Sequence, residues 1–155
     1  MKTLNACGVT LLEMLIVLGV LSVALLLVAA QHRPDDLLLR QTAREVQLLF
    51  VHARLEAIKR GVPVLVAFEP ERIESCVPLQ NQSTCQDQSL LREVKIPEKR
   101  LTYTHNFPSN LLWNPEGFPK QTGTGFAAGT LELNNQNRTL KLILSAGGRM
   151  RQEQP

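Results

Sequence analysis

CGVTLLEMLIVLGVLS, residues 7–22, places a single carboxylate, Glu13, inside an apolar run, and the reading of that acid decides what the rest of the chain must be. Val9 to Ala30 holds only Thr10, Glu13 and Ser22 as polar residues. As a helix rising about 1.5 Å per residue the run spans roughly 33 Å, close to the hydrocarbon thickness of a bilayer. From Gln31 onward there is no second apolar run of that length, so the sequence predicts one membrane contact and one polar domain. A chain of 155 residues with 44% hydrophobic and 20% charged residues has the composition of a folded protein.

Three readings of the amino-terminal run compete. Val28, Ala29 and Ala30 offer the small residues of a signal-peptidase site, but the run exceeds the roughly 7 to 15 residues of a signal core and is preceded by one basic residue, Lys2. A passive anchor is the second reading. Glu13 argues against both, because an acid in a bilayer costs on the order of 2.5 to 3.5 kcal/mol even on the forgiving insertion scale. The third reading gives the acid a partner.

Gly8-Val9-Thr10-Leu11-Leu12-Glu13, continued by Met14 to Ser22, resembles the processing signal of type IV prepilins and pseudopilins. The resemblance implies a short leader, residues 1–8, cut between Gly8 and Val9 by a prepilin peptidase, with N-methylation of the new amino terminus. It also implies that Glu13 is kept for assembly. Val9 departs from the phenylalanine or methionine usual there. The physics of Glu13 is compatible with this on its own terms: a carboxylate in the first turn faces the positive end of the helix dipole and lies near the amino group that cleavage would free. In a filament the amino group can belong to the adjacent subunit, so the desolvation cost becomes a device that sets register.

After the apolar segment, residues 9–30, His32-Arg33-Pro34-Asp35-Asp36 reads as a kink and a helix start. Leu39, Ala43, Val46, Phe50, Ala53 and Ala57 then recur at three- and four-residue spacing, with Arg40, Arg44, Glu45, Arg54 and Lys59 on other faces, predicting an amphipathic helix over residues 31–60. Gly61 supplies the stop, and Val62–Phe68 is short, β-branched and apolar, a first strand of a domain covering residues 61–155. Leu91–Ile96, Leu101–His105, Thr130–Leu133 and Thr139–Leu144 are further strand candidates, and Asn114–Gly117 and Asn134–Asn137 mark turns. Glu69, Glu71 and Glu74 read as a solvated acidic turn. The predicted fold class is α+β: a long amino-terminal helix, its first half in the membrane, whose second half packs on an antiparallel β-sheet domain, as in pilins. ARLEAIKRGVPVLVAF, Ala53–Phe68, with GGRMR, Gly147–Arg151, is similar to the GspH/FimT family of minor pilins and pseudopilins.

Cys7 would leave with the leader, and the remaining Cys76 and Cys85 form an even pair in a Pro-, Gln- and Ser-rich loop. A disulfide is the favoured reading. Free thiols are the alternative, and a metal site is the poorest one, since no His lies in the loop. His32, His52 and His105 are scattered outside any nucleophile or acid motif, and Gly123 to Gly129 lacks the spacing of a phosphate-binding loop. No enzyme activity, metal or cofactor is expected.

The carboxy-terminal GGRMRQ is the functional feature outside the helix. If extended, Arg149 and Arg151 share one face roughly 7 Å apart, a spacing suited to successive phosphates. In FimT-like minor pilins a GRxR motif is implicated in DNA binding during uptake, and Gly148, Arg149, Met150 and Arg151 match it. The resemblance therefore implies DNA as a partner, and solvated charge near the chain end is the other reading of the two arginines; Arg138 and Lys141 are candidate extensions of the patch that no motif supports. Loss of Lys2 from the 17 Lys and Arg residues leaves 16 against 14 acids, a net +2, so charge alone adds little.

The sequence thus predicts a minor pilin or pseudopilin of a type IV pilus or competence DNA-uptake machine. Its partners would be the prepilin peptidase, the membrane, other pilins in a filament or tip complex, and DNA. It would sit single-pass in the cytoplasmic membrane with a periplasmic domain before joining a pilus or pseudopilus at the cell surface. The alternative is a GspH-like structural pseudopilin of a type II secretion system without DNA binding. The remotest is a membrane-anchored periplasmic enzyme.

Overall fold

The computed structural model describes residues 10–31, 34–78, 85, 89–108, 111–121 and 125–154. The expected leader and cleavage site, with Gly8 and Val9, lie outside the described residues. The chain divides into two compact units, with the boundary between Pro34 and Asp35.

The first unit contains α1, Leu11–Gln31. Its Leu, Met, Ala and Val residues are apolar on every face, so no stripe is reserved for a core, and its large side chains are exposed from Leu11 to Val28. A helix of this kind is long and apolar enough to cross a membrane.

α2, Pro34–Arg60, starts at the boundary between the units and belongs to the second unit from Asp35 onward. Pro34 is the first helical residue, where the missing N–H costs no intrahelical bond. Asp35 and Asp36 occupy the first turn and Lys59 and Arg60 the last, each sign matching the dipole end it meets. Gly61 ends the helix at φ 65°, its N–H donating to the Ala57 carbonyl at 3.0 Å, which is a left-handed cap. All six residues of the predicted stripe, Leu39, Ala43, Val46, Phe50, Ala53 and Ala57, are buried, joined by Thr42 and Leu49.

Among the described residues nine strands follow, forming two antiparallel sheets. The first sheet has the order β3-β2-β1-β5-β6, from β1 Val64–Glu69, β2 Arg72–Cys76, β3 Leu90–Lys95, β5 Leu111–Trp113 and β6 Pro119–Gln121. The second runs β4-β7-β8-β9, from β4 Thr102–His105, β7 Gly129–Asn134, β8 Thr139–Leu144 and β9 Met150–Glu153. Val64, Val66, Ile73, Leu111 and Trp113 of the first sheet and Leu131, Leu133, Leu140, Leu142 and Leu144 of the second share one core with the α2 stripe. Burying a side chain of this size contributes about 1.5 to 3 kcal/mol.

The expected strands appear with ends shifted by a residue or two. Four others carry no clear signal in the sequence: β2, β5, β6 and β9. β5 and β6 are three residues long and flank an Asn-Pro-Glu-Gly turn, so no alternation could show. The acidic turn needs correcting. Glu71 is exposed between β1 and β2, but Glu74 lies inside β2, buried, with Arg72 Nε 2.7 Å from its Oε1. An acid can occupy that position because a guanidinium accompanies it.

Cys76, at the end of β2, is disulfide-bonded to Cys85 with a Cα separation of 5.6 Å. Closing so short a loop stabilises the fold by about 2 to 3 kcal/mol in the chain-entropy account.

Candidate functional site

The start of α1 is built by two residues. Thr10 is its N-cap: the Thr10 Oγ1 accepts from the Glu13 N–H at 3.2 Å, and the Thr10 carbonyl accepts from the Met14 N–H at 3.2 Å. Thr10-x-x-Glu13 is the sequence of a capping box, a signal that a reading of Glu13 for its charge alone passes over. Glu13 is exposed in the first turn, at the positive end of the helix, where a carboxylate is stabilised.

The GGRMR stretch forms the β8–β9 hairpin and the start of its last strand. The turn spans Ser145 to Arg149: the Gly148 N–H donates to the Ser145 carbonyl at 2.9 Å, the Ser145 N–H to the Arg149 carbonyl at 2.9 Å, and the Arg149 N–H to Ser145 Oγ at 3.2 Å. Gly148 has φ 78°, and a Cβ there would sit 2.9 Å from Trp113 Cζ3 and 3.2 Å from the Gly117 carbonyl oxygen. No other residue fits without displacing the indole. From α2, Arg54 lies 5.9 Å over the Trp113 ring and directs Nη1 at the Gly148 carbonyl, 3.4 Å away. The glycine of the motif is therefore a packing element, tied to α2 and β5.

The two arginines have different surroundings. Arg149 is exposed at the end of the turn, with no ion pair among the described residues. Arg151 lies in β9 opposite Ile143, on the outer side of the sheet, since Leu142 and Leu144 point into the core. Its Nη2 is 2.6 Å from Glu153 Oε1. The candidate extensions are engaged as well, Lys141 Nζ with Glu132 at 2.6 Å and Arg138 Nε with Asp36 at 3.3 Å. The outer face of this sheet thus alternates in sign and forms no continuous cationic stripe.

Residues 42–148 match the family described as Type II transport protein GspH, a span that runs from α2 through both sheets to the hairpin glycine. The chain belongs to the GspH family. It is 33% identical to the pilin-like protein PilA1 of Thermus thermophilus over 94% of this chain and 97% of that one. Its fold is that of the type IV minor pilin FimU of Pseudomonas aeruginosa. The two superpose with a TM-score of 0.60 at 16% identity over 77% of this chain and 90% of the FimU chain. A second FimU crystal form gives 0.56 at 17% over 74% and 91%. The GspH-family chain is accordingly a minor pilin or pseudopilin of the type IV pilus or type II secretion kind, with an apolar helix and an antiparallel domain.

In this GspH-family chain the predicted residues are divided between the two units. Glu13 belongs to the first unit, and Gly148, Arg149 and Arg151 to the second, as do Cys76 and Cys85. Among the described residues no three His, Cys, Asp or Glu side chains come together as a metal site. Sequence reasoning missed Trp113 and Arg54, which hold the hairpin, because both lie far from it in the chain.

One further cluster has chemistry of its own. His105 stacks on Phe68 with centroids 4.3 Å apart, and Phe68 stacks on Phe107 at 5.4 Å. Burial of the imidazole against these rings lowers the His105 pKa below its ordinary 6.5, only partly offset by a backbone hydrogen bond at Phe107. Burial pushes the neighbouring Tyr103 phenol up to about 12, helped by the Glu69 charge, and its hydroxyl donates to the Glu69 carbonyl.

Proposed function

We propose that this chain is a non-enzymatic minor pilin subunit that is cut after Gly8, spans the cytoplasmic membrane through α1 with its domain in the periplasm, and assembles with other pilins through that helix. The observation that carries the reading is α1 itself: apolar on all faces, buried against nothing in its own unit, and opening with an acid in its first turn. Glu13 is then the register device, paired with the amino group of an adjacent subunit freed at Val9. Glu13→Ala should leave membrane insertion intact and reduce co-sedimentation with partner pilins to background. Undiminished co-sedimentation would return Glu13 to a plain N-terminal acid held by the Thr10 cap.

A contact with DNA at the β8–β9 hairpin is the second reading, supported by the exposed, unpaired guanidinium of Arg149 and the outward position of Arg151. With Arg138 and Lys141 held by acids, two phosphates are the most this hairpin can neutralise, the second only by displacing Glu153 from Arg151. The salt slope of binding should then be about −2, giving weak capture that gains strength by repetition along a filament. Arg149→Ala combined with Arg151→Ala should abolish retention on DNA at low salt. Equal retention by the double variant would remove the hairpin from DNA binding and leave a secretion-type structural subunit.

A further inference from the structure

β4, Thr102–His105, lies at the margin of its sheet and pairs only with β7. Among the described residues it is the one margin of the two sheets with neither a proline nor an acidic, Lys or Arg side chain. The ladder with β7 fixes which of its backbone groups are already bonded. The Asn106 N–H donates to the Thr130 carbonyl at 3.1 Å, in the same register that sets Thr104 opposite Glu132 and Thr102 opposite Asn134. Bonded and outward residues alternate along an antiparallel strand, so Thr102 and Thr104 face β7, and the N–H and C=O of Tyr103 and His105 point away from the sheet. Among the described residues no backbone group meets them.

The side chains of Tyr103 and His105 stand opposite Leu133 and Leu131, both buried, and so lie on the core face of the sheet. That face is open at this margin. His105 is exposed, and a cleft of about 610 Å³ runs beside the strand, walled by Phe68, Pro70, Leu101, Tyr103 and His105. Phe68 stacks on His105, and the Tyr103 hydroxyl donates to the Glu69 carbonyl, so β1 holds the wall in place. Glu98 is the one acidic, Lys or Arg side chain on the cleft, exposed and without an ion pair among the described residues. The adjacent Lys99 and Arg100 line a different hollow, beside α2.

We propose that β4 receives an extended segment of a partner protein, antiparallel to it, with an apolar side chain opposite His105 and an Arg or Lys opposite Tyr103. A row of alternating main-chain donors and acceptors is complementary to the backbone of an extended peptide, whereas a helix has already used its own. An antiparallel segment satisfies both outward residues with two of its own, one opposite each. Side chains at those two positions lie on the same face as Tyr103 and His105 and so enter the cleft. Phe68 and Pro70 offer apolar contact there, and Glu98 selects a cation carried on a long apolar stem. The β4 of a second copy would bring no Lys or Arg to Glu98. This surface belongs to the second unit and is independent of how α1 assembles.

The test uses the full chain in detergent and, as probe, the acetylated and amidated peptide Thr-Thr-Val-Thr-Arg-Thr-Thr, with amide hydrogen exchange followed by NMR. At saturating probe the Tyr103 and His105 amides should slow about tenfold or more, while those of Thr102 and Thr104, already bonded to β7, stay as they were. His105→Pro removes one outward donor and leaves the β7 ladder intact, since proline is tolerated where an edge N–H faces solvent. It should weaken the probe about tenfold. The same probe N-methylated at its Val and Arg tests these bonds on the unaltered protein and should not bind. Glu98→Lys should transfer the preference to a probe with Glu in place of Arg. Unchanged exchange at Tyr103 and His105 with probe at millimolar concentration overturns the proposal, as does undiminished binding of the methylated probe. Equal affinity of both proteins for both charges overturns the assignment of the cation. Slow exchange of the two amides without probe, in a chain that sediments as a dimer, would give the margin to a second copy and overturn the proposal as well.

Discussion

The two helices of this chain are both rich in Leu, Val and Ala, yet only α2 is buried by its own domain. α2 confines its core residues to one stripe, and the sheets cover that stripe completely; α1 spreads its apolar residues over every face and has no partner in its unit. Apolar content is thus a poor guide to where a helix gets its stability. The distribution of that content around the axis decides whether the solvent to be escaped is water, and the escape lies within the fold, or whether it must be supplied from outside, by lipid or another subunit.

The largest effect that would test this contrast compares Phe50→Ala with Leu15→Ala. Phe50 is 1% exposed beneath both sheets and Leu15 is 60% exposed. In the full chain in detergent, urea unfolding followed by the fluorescence of Trp113, the one tryptophan, should lose about 3 to 5 kcal/mol for the Phe50 variant and stay unchanged for the Leu15 variant. An equal loss in both would mean that α1 is part of the domain core.

A smaller loss, about 1 to 3 kcal/mol, is expected for Gly148→Ala, which forces a side chain into a left-handed backbone and against the indole. The same unfolding curve reads it, together with a change in the Trp113 emission of the folded state. If neither moves, the hairpin is not anchored on Trp113, and the glycine would have to be explained by what its arginine neighbours bind.

The smallest effect is a pH dependence. His105 takes up a proton near 6.5 when unfolded and only at lower pH when folded, so its contribution is fully present above 6.5 and is lost as pH falls through the window below that value. Stability should fall between pH 7 and 5.5 in the wild type and fall less in His105→Phe. An unchanged slope would assign the loss to other groups.

The helical half of the fold was legible in the sequence because burial there repeats at the period of the helix: all six residues of the predicted stripe are in the core. The longer strands were legible for the same reason at the shorter period. β2 and β9 were not, since RIESC and MRQE carry charges where a strand should alternate, and the pairing of Arg72 with Glu74 and of Arg151 with Glu153, two residues apart on one strand, is what makes those charges tolerable. The exposed apolar residues on the other side of α2, Leu48, Val51, Leu55 and Ile58, escaped because one apolar stripe satisfies the expectation for a surface helix. At the hairpin, Arg149 and Arg151 could be named from their motif. The reason for Gly148 could not, because it lies in an indole that the fold brings from another sheet.

The edges of the two sheets have a consequence for how such a subunit can polymerise. β3 ends its sheet with Arg92, Glu93 and Lys95, β6 opens on Pro119, and β9 sets Arg151 beside Glu153 at the rim of the other sheet. Charged and proline-bearing margins of this kind refuse an incoming strand. At those three margins the domain is protected, even when crowded, from the edge-to-edge stacking that leads to amyloid, which leaves β4, Thr102–His105, as the one margin of the two sheets with neither a proline nor an acidic, Lys or Arg side chain among the described residues.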